Sequence, residues 1–336
     1  MNSNSNSPQL HLATYHYVRH LPGSRFPHIK GMLIDEFVQQ VKSLPELFEM
    51  ATLTSALDFL KGTYRPRRNL CLMTFDDGLK EHYAEVTPVL DEQQIQGVFF
   101  PITSCMEDHA VVPVHMNHFL LAALGITQYR ALFIEALNAL GLRAMAQTAV
   151  DQAAARRTYP LDDGETAQFK YLFNFLLPHR DRDFVVKHLF HEWIGEESAF
   201  ASQLYISWSE ARDMQRAGML MGGHSHTHRP LALLTPDELQ SDLVCCWNLM
   251  RSHLESQDAW PFSYPYGKAD SFDENVIQIL RHLGFCCALC TENGINLPGK
   301  DLFAICRVDC KSVIPADFKL RPISRPSTVA AISHAL

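Results

Sequence analysis

The sequence lacks the features that mark fibrous, disordered and membrane-spanning chains. Its 336 residues include only 16 glycines and 18 prolines, which excludes collagen-like repeats and low-complexity chains, where these residues are abundant. No segment holds about eighteen consecutive apolar residues, the length needed to cross a bilayer. The start of the chain, MNSNSNSPQL, has no basic stretch followed by an apolar run, as a secretory signal has. We therefore expect a cytoplasmic chain with no transmembrane segment.

Basic residues are also in short supply. The chain has 29 Lys and Arg residues against 37 Asp and Glu residues, so its formal net charge is −8. Affinity for a phosphate backbone comes largely from concentrated basic side chains. We therefore expect no nucleic-acid partner.

The nine cysteines are an odd number and do not have the spacing of a disulfide framework, so we expect reduced thiols. Two close pairs, Cys287 with Cys290 and Cys306 with Cys310, would suffice for a tetrahedral structural zinc site. Their surroundings, GFCCALC and FAICRV, are more typical of buried strands in which Cys acts as a small hydrophobe. We favour the second interpretation.

Short apolar runs alternate with helix-period segments over much of the chain. Candidate buried strands include Leu70–Phe75, Gly97–Phe100 and Pro261–Tyr264, and amphipathic segments such as Asp273–Leu283 lie between such runs. This alternation predicts an α/β fold built on a parallel sheet or barrel.

The alternation stops between residues 103 and 203, where the pattern is mostly helical and no convincing strand is present. The chain is also longer than one hydrophobic core usually organises. We predict a discontinuous barrel domain over residues 1–102 and 204–317, a helical insertion over 103–203 and a C-terminal extension over 318–336.

Two carboxylates directly follow an apolar run in the stretch LCLMTFDDG. Asp76 and Asp77 follow a candidate strand directly and precede Gly78. Successive strand residues point to opposite faces, but a turn at the glycine can bring the two acids together with different tasks. The alternative is an ordinary surface turn, because Asp-Gly is common in loops.

Three histidines fall within five positions in the stretch GGHSHTHRP. The spacing of four predicts that His224 and His228 lie on one face of a helical turn, where they can share a metal, while His226 points away. One added aspartate would complete a catalytic type of site with positions left for water and substrate. The alternative is a polar loop with incidental histidines.

A third stretch, FSYPYGK, ends a candidate strand in Pro-Tyr-Gly. Such a turn can direct a backbone N–H into a pocket, although an ordinary strand-to-turn transition has the same appearance.

In this order, TFDDG, HSxxH and PYG make the chain resemble the polysaccharide deacetylase family, also called the NodB-homology or carbohydrate esterase family 4 enzymes. The resemblance implies a distorted (β/α) barrel with a metal at the C-terminal mouth of the strands. It also implies that Asp76 is the general base, that Asp77, His224 and His228 hold the metal, and that the Tyr266 N–H stabilises the oxyanion.

The family's usual general acid is a late histidine, but here the only histidine after His282 is His334, close to the C-terminus. The segment TYHYV instead resembles the YHxV strand that opens permuted members of the family, including biofilm poly-N-acetylglucosamine deacetylases. This resemblance assigns the acid to His16, against the alternative of a structural strand histidine.

Ser263 stands where many members have an arginine that pairs with the catalytic aspartate. Arg307, in the late segment ICRVD, is similar to an arginine of the permuted subgroup and is the candidate replacement. The alternative is a surface ion pair.

The expected activity is metal-dependent removal of the acetyl group from an acetamido sugar. Because no export signal is visible, we expect a cytosolic precursor of surface polysaccharide as substrate. A His₂Asp set suits Zn²⁺, although Co²⁺, Ni²⁺ or Fe²⁺ fit the same ligands. Removal of a formyl group, hydrolysis of a non-sugar amide and a metal-retaining barrel without turnover are the alternatives. The sequence leaves the oligomeric state open.

Overall fold

A computed structural model describes residues 7–315 except Asn293. The predicted extension over 318–336 lies outside the described residues. The chain divides into two compact units. The first contains the chain up to His20, then Lys30–Met106, and then the described chain from Leu204 onward; the second contains Leu21–Ile29 and Glu107–Gln203.

The strands all belong to the first unit. In chain order they are β1 (Leu10–Tyr15), β2 (Val18–Arg19), β3 (Met32–Leu33), β4 (Glu49–Met50), β5 (Leu70–Asp77), β6 (Gly97–Pro101), β7 (Leu220–Met221), β8 (Pro261–Ser263), β9 (Cys287–Cys290), β10 (Ile305–Cys306) and β11 (Val308–Asp309).

The α-helices are, in chain order, α1 (Ile34–Leu47), α2 (Leu53–Leu60), α3 (Thr87–Glu92), α4 (Thr103–Glu107), α5 (Pro113–Ala139), α6 (Arg143–Ala146), α7 (Gln152–Thr158), α8 (Gly164–Tyr171), α9 (His179–Trp193), α10 (Glu197–Leu204), α11 (Trp208–Arg216), α12 (Pro236–His253) and α13 (Glu274–Leu283). Two π-helical turns, His82–Val86 and Leu172–Leu176, and two 3₁₀ turns, Leu231–Leu233 and Cys310–Ser312, complete the described elements.

Nine of the described strands form a distorted parallel barrel, and β2 and β3 pair with each other separately. The main sheet has the order β11-β1-β5-β6-β7, with β4 beside β5, and a second sheet has the order β10-β9-β8. A parallel bridge between Gly223 and Phe262 connects the two sheets on one side. On the other side, Arg307 alone separates β10 from β11, so the chain crosses between the sheets at this residue. This (β/α) barrel confirms the predicted fold class.

The register of the central strands sets the position of the barrel mouth. All eight residues of β5 are buried, as expected for a strand covered on both faces. Pairing with β1 and β6 places Phe75 beside Tyr15 and Phe99. The three rings stack with centroids 4.9 and 4.6 Å apart, each contact adding about 0.5–1.5 kcal/mol beyond burial. The residues that follow Tyr15 and Phe75 therefore emerge side by side.

The second unit contains helices α5 to α9 and most of α10, and it has its own aromatic core. The ring of Phe169 lies edge-on to those of Tyr129 and Phe133, with centroids 5.1 and 5.6 Å away. Helix α5 is long and apolar enough to cross a membrane by length and composition alone. However, Gly125 has non-helical angles (φ 72°, ψ 162°) that break it into two segments. Neither segment approaches the roughly 20 residues of a spanning helix.

Candidate active site

The two predicted acids lie at the end of β5, at the barrel mouth. Asp76 and Asp77 are buried, and their Cα partners on β6 are Phe100 and Pro101. Asp77 has a φ of 77°, a left-handed conformation that few non-glycine residues adopt. A Cβ at Gly78, where φ is also positive, would lie 2.6 Å from the Cβ of Pro101. Only glycine can therefore follow the two acids at this turn.

Asp77, His224 and His228 converge although they are far apart in sequence. The Nε2 atoms of the two histidines are 3.2 Å apart, and each lies 3.4 Å from Oδ1 of Asp77. All three residues are buried. Ligand atoms bonded about 2.0–2.2 Å from a tetrahedral ion lie about 3.3–3.6 Å from one another. Two imidazoles and one carboxylate at these separations fit a divalent cation and leave a position for water or substrate.

The surroundings of His224 define its tautomer. Nδ1 of His224 lies 2.7 Å from the backbone carbonyl of Ser263. Since a carbonyl can only accept, Nδ1 carries the proton and Nε2 is left as the ligand atom. Burial lowers the pKa of His224, but the charge of Asp76 and the charge and hydrogen bond of Asp77 raise it by more, so its pKa lies above the usual value. A proton therefore competes with a cation for this imidazole.

The histidine segment corrects one expectation. His224 and His228 do not lie on a helical turn, because residues 222–230 form an irregular loop. Ser225 and His228 have positive φ angles of 61° and 53°. At the start of the loop the backbone passes close to a side chain of β6, since a Cβ at Gly222 would lie 2.5 Å from the ring of Phe100. The two imidazoles thus meet through a bent loop, which the spacing of four does not distinguish from a helix.

Asp76 belongs to a second group, separate from the three converging side chains. Arg307 donates two hydrogen bonds to its carboxylate, Nη1 to Oδ1 at 2.8 Å and Nη2 to Oδ2 at 2.7 Å. The arginine is 1% exposed. Burial would raise the pKa of Asp76, but the charge and hydrogen bonds of Arg307, with the nearby His224 and His16, lower that pKa to about 2. Asp76 is therefore ionised across the neutral range.

Ser263 is part of both groups, a role that no pattern in the sequence indicates. Its hydroxyl donates to Oδ2 of Asp76 at 3.2 Å and accepts from Nη2 of Arg307 at 2.9 Å. Its carbonyl accepts from His224. The small serine, where many family members have an arginine, thus leaves room for the Arg307 side chain. Arg307 reaches Asp76 from the junction of β10 and β11.

The predicted acid, His16, lies on the solvent side of Asp76. Nε2 of His16 is 3.8 Å from Oδ2 of Asp76, and the His16 side chain is 48% exposed. Its backbone carbonyl accepts a hydrogen bond from Nε2 of the buried His82 at 2.9 Å. His82 begins the π-helical turn after β5, and its position relative to His16 could not be predicted from spacing.

Tyr266 lies in the turn after β8 and next to the histidine loop. Its ring centroid is 5.3 Å from that of His228, and its φ is 62°. Thr291, just after β9, donates from Oγ1 to the Tyr266 carbonyl at 2.7 Å and from its N–H to the Gly267 carbonyl at 2.9 Å. These contacts hold the predicted oxyanion turn from a neighbouring strand.

Within the described part of the chain, Asp77, His224 and His228 are the one group of His, Cys, Asp or Glu side chains with the geometry to hold a metal. The four cysteines considered for a zinc tetrahedron do not form such a group. Cys287 and Cys290 are buried in β9, and none of the nine cysteines forms a disulfide bond.

Comparisons with known proteins identify the family of this chain. The polysaccharide deacetylase profile matches residues 63–145 and 162–288. The matched ranges contain the two acids, both loop histidines and Tyr266, but they do not reach His16 or Arg307. Membership of the permuted subgroup therefore stays a prediction. No curated protein sequence matches this chain significantly.

Three solved structures share the fold. The deacetylase PplD of Streptococcus pyogenes, in complex with acetate, has a TM-score of 0.56 at 13% identity, covering 90% of this chain and 92% of that chain. IcaB of Ammonifex degensii has a TM-score of 0.54 at 20% identity, with coverages of 90% and 92%. A de-N-acetylase of Aggregatibacter actinomycetemcomitans has a TM-score of 0.54 at 13% identity, with coverages of 91% and 97%.

The profile match covers more than half of the chain, and the structural likeness extends over nine-tenths of it. Together with the resemblance in TFDDG, HSxxH and PYG, these findings indicate a hydrolytic deacetylase. This chain belongs to the polysaccharide deacetylase family.

Proposed function

We propose that this chain is a metal-dependent N-deacetylase that releases acetate from an acetamido sugar. One observation carries the proposal. Nε2 of His224, Nε2 of His228 and Oδ1 of Asp77 form a buried triangle with sides of 3.2–3.4 Å, and a separate carboxylate, Asp76, lies at the same strand end. Hydrolysis of an amide needs a water activated as a nucleophile, a stabilised oxyanion and a proton donor.

The residues that would hold the cation are Asp77, His224 and His228, and we propose Zn²⁺ because its preferred ligands include imidazole and carboxylate. A bound divalent ion would supply two things, an attacking water with its pKa lowered from 15.7 to about 7 and a polarised amide carbonyl.

Asp76 accepts the proton of the attacking water. With a pKa of about 2, it is a weak base, and it could not take a proton from ordinary water at a useful rate. The gap between pKa values of 15.7 and 2 corresponds to about 19 kcal/mol, whereas a gap from 7 corresponds to about 7 kcal/mol. Arg307 and Ser263 therefore serve to hold the carboxylate in one orientation, not to make it more basic.

His16 donates a proton to the departing nitrogen. Its side chain is partly open to solvent, where a sugar would enter, while its backbone is fixed by His82. An amine leaves poorly as an anion, so a positioned donor at this nitrogen accelerates the step by about 10²–10⁴-fold.

The backbone N–H of Tyr266 stabilises the negative charge that develops on the carbonyl oxygen. Thr291 fixes the turn just after this N–H, through hydrogen bonds to the carbonyls of Tyr266 and Gly267. A donor held in place before the reaction costs no reorganisation during it.

We extend the proposal to a cytosolic acetamido-sugar precursor, either nucleotide-linked or lipid-linked. All nine cysteines are free thiols, which supports a reducing compartment. The acetate in the PplD structure is the acid that the proposed reaction would release.

Acetate release from a panel of nucleotide-linked, lipid-linked and polymeric acetamido sugars tests the proposal. We expect turnover by wild-type protein, its loss with a chelator and recovery with Zn²⁺. Asp76→Asn should bind metal and turn over at least about a hundredfold more slowly, the lower end of a general-base contribution. Formate in place of acetate would assign a deformylase, and bound metal without turnover on any substrate would assign a binding barrel.

A further inference from the structure

The loop that carries His224 and His228 cannot hold its shape alone. Ser225 and His228 both adopt left-handed φ angles, and each such residue costs of order 1–3 kcal/mol unless its surroundings compensate. Within the loop, the hydroxyl of Ser225 accepts from the His228 N–H at 2.9 Å. The middle of the loop, His226 and Thr227, needs partners from outside.

Asp242 supplies these partners. Its Oδ1 accepts from the His226 N–H at 2.8 Å, and its Oδ2 accepts from the N–H and the hydroxyl of Thr227 at 2.9 and 2.5 Å. The carboxylate is buried, with 5% of the residue exposed. Three donors, two of them consecutive backbone groups, thus point to one side chain.

The position of Asp242 is itself rigid. It lies in α12, which begins at a capping box between Thr235 and Glu238. The neighbouring Leu243 is fully buried in the barrel core, as is Cys246 one turn later. The carboxylate is therefore fixed by a packed helix and not by the loop it contacts.

The opposite edge of the loop is also fixed. The N–H groups of Thr103 and Ser104 at the start of α4 donate to the carbonyls of Ser225 and His226 at 3.3 and 3.2 Å. Oγ1 of Thr103 lies 3.0 Å from Nδ1 of His226, so α4 contacts the imidazole as well as the backbone of this residue. The N–H groups of His226 and Thr227, on the other edge, are held by Asp242.

We propose that Asp242 is a positioning residue for the two histidines, His224 and His228, that would hold the metal. By fixing the backbone of His226 and Thr227, it sets the separation and direction of His224 and His228 before a cation binds. The inference rests on the proposed function for the role of the cation, although the hydrogen bonds to the loop do not.

A carboxylate is required here because all three partners are donors. An asparagine would keep one acceptor oxygen but turn an amide NH₂ toward an N–H or an O–H group. Asp242→Asn therefore changes few atoms and breaks at least one side of the contact, which makes it the informative variant.

Cobalt binding tests the proposal. Affinity for Co²⁺ is measured by competition with a chromophoric chelator, for wild type, Asp242→Asn and Asp237→Asn. We expect Asp242→Asn to bind about 10–100-fold more weakly, the usual effect of removing a group that supports metal ligands. Asp237→Asn removes the same charge from an exposed position on the same helix and should keep wild-type affinity.

Amide hydrogen exchange of chelator-treated protein provides a readout without metal. Peptides containing His226 and Thr227 should exchange faster in Asp242→Asn than in wild type or Asp237→Asn. Unchanged exchange, or unchanged Co²⁺ affinity in Asp242→Asn, would overturn the role of Asp242. A wild-type protein that binds no cation would instead defeat the proposed function, and the exchange result would still decide whether Asp242 orders the loop.

Discussion

Asp76 and Asp77 are consecutive residues whose carboxylates face different partners. Asp76 is held by two hydrogen bonds from Arg307, whereas Asp77 faces the Nε2 atoms of His224 and His228. The left-handed φ of Asp77 makes this division possible, because it turns the second acid away from the alternation of the strand. One strand end thus supplies both a metal-ligand candidate and a separately held carboxylate.

Loss of Arg307 should cost stability as well as activity. In Arg307→Met, the buried carboxylate of Asp76 keeps its environment but loses its countercharge, which typically costs about 3–5 kcal/mol. Urea unfolding of chelator-treated protein measures this change. The matched control is Arg216→Met, which removes two ion pairs, to Asp213 and Glu255, from an arginine side chain that is 59% exposed, and each pair should cost at most about 1 kcal/mol. Equal effects from the two variants would contradict the pairing of Asp76 with Arg307.

The low pKa of Asp76 predicts an acid-dependent loss of stability. Its pKa falls from 3.8 to about 2 on folding, so the folded state binds fewer protons between these values. The resulting stability, about 2 kcal/mol, is complete above pH 4 and is lost as the pH falls through 2. Unfolding free energies of chelator-treated wild type and Asp76→Asn, measured from about pH 5 to pH 2, should show this loss only in wild type. Parallel curves would be evidence against the buried ion pair.

Metal affinity should depend on pH through His224. Its raised pKa means that a proton occupies the imidazole in acid, and a cation must displace it. Affinity for Zn²⁺ should therefore weaken as the pH falls below the raised pKa of this histidine and level off above it. Isothermal titration in buffers of different ionisation enthalpy should detect proton release on the acid side. A pH-independent affinity would place the metal elsewhere.

Ser263→Ala separates the two contacts of this serine. The variant loses the hydroxyl between Asp76 and Arg307 but keeps the carbonyl that accepts from His224. We expect unchanged metal affinity and a kcat reduced by up to about tenfold, since a net hydrogen bond contributes about 0.5–1.5 kcal/mol. Weakened metal binding with unchanged kcat would reverse this assignment.

The barrel and the stretches that carry the polar side chains could be predicted from the sequence, because buried strands have apolar runs and the two acids interrupt one of them abruptly. The way in which the loop after β7 brings His224 and His228 together could not, since a spacing of four fits both a helical turn and the bent loop observed. Left-handed angles at Asp77 and His228 come from tertiary contacts that no local pattern encodes.

The roles of supporting residues were missed for a related reason, including that of Ser263, which the sequence marks only as a departure from a common arginine. Ser263, His82 and Asp242 are ordinary residue types at positions that look structural, and their importance comes from partners far away in sequence. The partners of Asp242 lie 15 and 16 residues earlier, and the partner of His82 lies 66 residues earlier. An acid in the middle of a helix looks like a solvated side chain until the fold shows what it contacts.

Anomalous X-ray scattering at the zinc edge, from crystals of protein supplied with Zn²⁺, tests the proposed metal site most directly. We expect one strong peak about 2.0–2.2 Å from an oxygen of Asp77 and from Nε2 of both His224 and His228, and no such peak in His228→Ala. A peak bound by other residues, or none at this position in wild type, would contradict a metal held by these three side chains.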